Sequence, residues 1–110
     1  MSVAKVQEQG LEALRQEILG EQAATIGQLD RNLRDALAAL KNFDERMKDN
    51  QPLGERRAEQ RTRLVDAAAY ALWNFVVQRD CSGFRFTDRV LKDFAVPAEV
   101  QLKMGTVRPR

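Results

Sequence analysis

The chain has 110 residues, 44% hydrophobic and 31% charged, with a net charge of +2. That length fits one domain with a modest core, and that composition excludes global disorder. No apolar run approaches the ~20 residues that span a bilayer. The first nine residues hold no apolar signal core, and one cysteine, Cys81, leaves no intrachain disulfide, so a cytoplasmic protein is expected.

The small net charge hides an asymmetry. Residues 1–55 hold 7 Lys/Arg against 10 Asp/Glu, and residues 56–110 hold 11 against 6. Unlike halves attract within a chain or between antiparallel copies; a basic half also suits nucleic acid. Acidic residues interleave the second half throughout, which favours self-complementarity.

In chain order, Ser2 is placed to cap a helix starting near Val3. Leu11, Leu14, Ile18, Ile26, Leu29, Leu33, Ala36, Leu40, Phe43 and Met47 then recur at three- and four-residue steps. At 3.6 residues per turn this makes one apolar stripe on one long helix. Between Ile18 and Ile26 the stripe thins to small residues between Gly20 and Gly27. Neither glycine has a turn-forming neighbour, so the helix is expected to continue through a small-residue waist that admits another backbone.

Asp49-Asn50-Gln51-Pro52-Leu53-Gly54 punctuates the chain, and Pro52 suits the first turn of a second helix reaching Arg79. Its later part, from Leu64 to Val77, is apolar on nearly every side, which predicts the centre of the core. Gly83 can take the left-handed conformation that ends a helix. Thr87 or Asp88 caps a third helix, the residue before Pro97 avoids the helical region, and Pro97, Glu99 and Gly105 frame a fourth.

The fold expected is therefore all-α. A long hairpin (about 3–49 and 52–79) carries two short C-terminal helices (about 88–94 and 97–104), assembled as a helical-bundle or coiled-coil oligomer. Residues 1–105 form a single domain and 106–110 a flexible basic tail. A helix rises ~1.5 Å per residue, so the first is longer than the second, and the stripe at Leu11, Leu14 and Ile18 overshoots its partner. The C-terminal helices folding back and a second subunit are both expected to cover it.

Catalysis is not expected. The chain has no histidine, hence neither the commonest general base nor the commonest metal ligand, and one cysteine builds no thiolate site. No glycine-rich phosphate loop occurs, so no cofactor is expected. Cys81 reads as a partly buried structural residue, since a helix C-terminus does not activate a thiol.

Three interaction surfaces remain. Leu11, Leu14, Ile18, Gly20, Ala24 and Gly27 are candidates for an oligomer interface, most simply a homodimer, with another protein as the alternative partner. Arg56, Arg57, Arg61 and Arg63 could contact phosphates, but they mix with Glu55 and Glu59 at helical spacing. Residues 90–102 superficially resemble a helix-turn-helix, though the second helix has little basic character. A ligand pocket near Trp73, Tyr70 and Gln78 is a further alternative.

Trp73-Asn74-Phe75-Val76-Val77-Gln78-Arg79-Asp80-Cys81-Ser82-Gly83, then Phe94-Ala95-Val96-Pro97-Ala98-Glu99-Val100 and Met104-Gly105, resemble the C-terminal half of a group of small bacterial helical proteins. Those proteins are described only as a domain of unknown function. The resemblance implies an all-helical protein and carries over no activity or site residue.

Overall fold

The computed structural model describes residues 3–48, 54–83 and 87–107. Four helices make up the fold: α1 (Val3–Arg46), α2 (Glu55–Cys81), α3 (Thr87–Asp93) and α4 (Ala98–Val107), with no strand among the described residues. None of the helices is long and apolar enough to cross a membrane. α1 runs unbroken through Gly20 and Gly27, as the lack of turn-forming neighbours predicts, and also through Gly10, which does not interrupt its first turns.

The helix boundaries depart from expectation for local reasons. α1 stops at Arg46 instead of residue 49, its last turn closed by the Met47 amide shared between the carbonyls of Phe43 (3.1 Å) and Asp44 (3.3 Å). α2 starts at Glu55, because Gly54 is extended (φ −62, ψ 159) and its carbonyl accepts the first helical bond, from Ala58. Pro52 lies outside the described residues. α2 continues two residues past Arg79 because the left-handed position falls on Gly83 (φ 89), whose amide bonds back to Asp80.

α3 ends one residue early, at Asp93, in a Schellman cap. The Val96 amide donates to Leu91 and the Ala95 amide to Lys92, with Ala95 left-handed at φ 50. The Pro97 carbonyl then opens α4, one residue later than expected, by accepting from Val100 and Gln101. α4 runs past residue 104 to Val107, since Gly105 keeps a right-handed backbone and stops nothing. The expected tail at 106–110 thus begins as helix; residues 108–110 lie outside the described residues.

α1 and α2 pack as the antiparallel hairpin, with Asp44 opposite Arg61. The core is the three-four stripe meeting α2: Leu33, Leu40 and Phe43 bury against Val65, Ala68, Ala69, Leu72 and Phe75. Val90, Val96 and Val100 complete it from the C-terminal segment. Phe94 sits edge-on to Phe75 at 5.4 Å, and Arg34 of α1 lies 4.4 Å over its face, so one ring ties three helices together.

α2 is not buried on every side. α1 covers one flank and α4 another, which leaves Ala67, Tyr70, Val77 and Cys81 exposed on the third. The cysteine expected to be partly buried is therefore solvent-exposed.

Candidate functional site

The pairing of Asp44 with Arg61 sets the hairpin register, which brings Cys81 level with about Ala24. Ile26 and Gly27 face Arg79 and Ser82 across one depression, in the same register. The first ~20 residues of α1 therefore project some 30 Å beyond the end of α2. The molecule is accordingly 76 Å long but only 26 × 23 Å across.

The C-terminal helices do not fold back over this overhang. They pack at the opposite end, where α4 lies on α2 and Glu99 reaches Arg61. The reason lies in the linkers: Gly83 and the Ala95–Pro97 turn send the chain back along α2, toward its N-terminal half. Residues 7–21 are all exposed, and Leu11, Leu14, Ile18 and Leu19 keep between 47% and 62% of their surface in contact with solvent. Among them the local polar contacts are intrahelical, such as Arg15 with Glu12 at 3.5 Å and Gln16 donating to Glu12 at 3.1 Å.

The six candidate interface residues do not form one patch. At about 100° per residue, Gly20 lies about 200° around α1 from Ile18, and Ala24 and Gly27 share its side. Leu11, Leu14 and Ile18 continue the direction that faces α2 farther along, whereas Gly20 and Ala24 look away from it and Gly27 lies at the edge of the depression beside Arg79 and Ser82. A Cβ built on Gly20 meets nothing within 4 Å, and one on Gly27 meets only Arg31 at 3.7 Å, so no backbone of this chain approaches either.

Where α2 ends, a groove of about 520 Å³ opens between it and α1. Leu19, Ala23, Ile26 and Phe75 supply its apolar lining, with Arg31 and Arg79 at its edges. The Arg79 guanidinium lies 5.5 Å over the Phe75 ring. Leu19 did not stand out as a surface residue in the sequence, and Phe75 lies in the stretch expected, and found, in the core. The available signal was the seven-residue step from Leu19 to Ile26, off the main stripe by one position.

The basic cluster divides. Arg56, Arg57 and Arg63 are exposed, but Arg61 is a structural clamp. Its guanidinium donates to both Asp44 oxygens (2.8 and 3.0 Å) and to both Glu99 oxygens (2.9 and 2.5 Å), joining α1, α2 and α4. These bonds to Glu99 and Asp44 push the Arg61 pKa up, and hydrogen bonding to Arg61 holds the Asp44 and Glu99 carboxyls below their usual range. Lys103 pairs with Asp66 at 3.4 Å and Val100 is fully buried, so the second helix of the supposed helix-turn-helix spends its inner face and two charges on α2. Trp73 is half-buried and Tyr70 exposed, and neither lines the groove.

A model of a family described only as of unknown function (DUF6665) matches residues 3–109. No curated protein and no solved structure matches the chain.

Proposed function

The chain belongs to this family of unknown function, which hands down no activity, and we propose from its own surface that it is a non-enzymatic, self-associating helical protein, most simply a cytoplasmic homodimer. One observation carries this: the overhang of α1 is a helix exposed along all of residues 7–21, with four half-exposed aliphatic side chains on it. Gly10 and Gly20 each cost this helix about 1 kcal/mol relative to alanine, and burial of the four aliphatic side chains against a second copy would offset that cost.

Burying the exposed remainder of one such side chain yields about 1 kcal/mol, half the value for a fully buried one. Eight side chains across two copies then contribute on the order of 8 kcal/mol. Association itself costs about 4–15 kcal/mol, so these residues alone give millimolar affinity at best, and a dimer at tens of micromolar needs further contacts.

Light scattering across a concentration series tests the proposal. The expected result is a dimer at tens of micromolar that dissociates on dilution. Leu14→Glu should yield a monomer with the hairpin core intact, because Leu14 touches no core residue. A monomer at every concentration, or a dimer indifferent to Leu14→Glu and Leu11→Glu, overturns it.

A further inference from the structure

We propose that the occupant of the groove at the end of α2 is the overhang of a second copy, so that each chain seats its stripe against the other's Ala23 and Ile26. This deepens the self-association proposed above and rests on it. The alternative is a simple crossing in which the two overhangs pair only with each other.

Three observations favour the groove. The first is energetic. Overhang against overhang buries only the eight half-exposed aliphatic side chains, which barely offsets the cost of association. Seating in the groove adds Ala23 and the exposed part of Ile26 to the interface, and a two-fold axis counts each contact twice.

The second is charge. Residues 7–22 carry Glu8, Glu12, Glu17 and Glu21 against Arg15 alone. Pairing two such segments sets like charge against like charge. The groove instead offers Arg31 and Arg79 at its edges, while its one acid, Asp30, is held by Arg34 at 2.6 Å. Complementary charge of this kind fixes register and orientation.

The third is register. The stripe is centred near Leu14 and the apolar floor of the groove near Ile26. Placing one over the other in an antiparallel pair puts the two-fold axis beside Gly20. Leu11 then lies level with about Leu29 of the second copy, and Glu8 beside Arg31. The tip of each overhang lies level with the other copy's Phe75, at the end of the hairpin core where α2 stops. One docking event thus covers the overhang and closes the open end of the core, which no arrangement within a single chain achieves.

The distance between labels on the overhang distinguishes the two arrangements. Gln9 is exposed and lies off the stripe, and Cys81 is exposed, so Gln9→Cys with Cys81→Ser carries one spin label per chain. Groove docking sets Gln9 level with about Arg31 of the second copy, and the labels should lie about 35 Å apart. Overhang-only pairing sets it level with about Gly20 and gives less than about 25 Å. Light scattering on the same labelled sample reports the assembly. A dimer at about 35 Å supports the docking; a dimer at the shorter distance overturns it and leaves self-association standing; a monomer overturns both. Arg31→Glu should weaken the dimer about tenfold, and adding Glu8→Arg should restore it; a pair that fails to restore it counts against the register.

Discussion

Ala95→Gly should stabilise this protein. Ala95 occupies the left-handed position of the α3 cap, where φ is 50 and where its amide bonds back to Lys92. For an L-residue with a Cβ that conformation costs about 1–2 kcal/mol, which glycine avoids. Glycine also loosens the unfolded chain, at a cost of about 0.4–1 kcal/mol. Ala95 is exposed, so its methyl contributes little burial and the balance stays positive. A net gain of about 0.5–1 kcal/mol follows, or a rise in Tm of about 2–5 °C. Urea titration with an unchanged slope, run at one fixed protein concentration, isolates the effect from any change in assembly. Ala95→Val, which adds a branched Cβ at the same φ, should move the midpoint the other way. An unchanged or lowered midpoint for Ala95→Gly would show that the turn is not strained and that another contact holds α4 in place.

The clamp at Arg61 makes a second set of predictions. Arg61→Met should cost about 1–2 kcal/mol, since charge-assisted hydrogen bonds are lost but the carboxylates it leaves are part-exposed and resolvate. The Asp44 and Glu99 pKa values are lowered on folding, so their contribution is complete above the ordinary values of 3.8 and 4.5 and is lost as pH falls below them. Urea midpoints measured from pH 6 downward should therefore fall below about pH 4.5, and Glu99→Gln should flatten that fall. In the core, Leu72→Ala should cost about 2–5 kcal/mol, as a fully buried side chain leaves a cavity. Leu102→Ala, at a side chain 78% exposed, should change stability by less than about 0.5 kcal/mol. Comparable losses at the two leucines would mean that α4 packs by a different face.

The three-four spacing from Ile26 to Met47 determined by itself that α1 is a helix with one buried face, because only a 3.6-residue period collects those positions on one side. The same spacing, with helix rise, was enough to predict the antiparallel hairpin and the overshoot at Leu11, Leu14 and Ile18. Gly83 likewise marked the end of α2 without help from tertiary contacts, since its left-handed φ is a property of glycine. Ends set by other residues were not legible: Gly105 carries the same signal as Gly83 yet stays inside α4, and Ala95 takes a left-handed φ that its side chain disfavours. At Ala95 the turn that sets α4 on α2 overrides local preference, while Gly105, exposed and right-handed, simply continues the helix.

Only the tertiary structure decided which residues a surface can use. Arg61 was indistinguishable in sequence from Arg56, Arg57 and Arg63, and became a clamp because Asp44 and Glu99, distant along the chain, converge on it. Leu19 and Phe75 became the walls of a groove because α2 stops just where α1 continues. Periodicity reports the face a residue shares with its neighbours in one helix; what lies opposite that face depends on where the other helices begin and end.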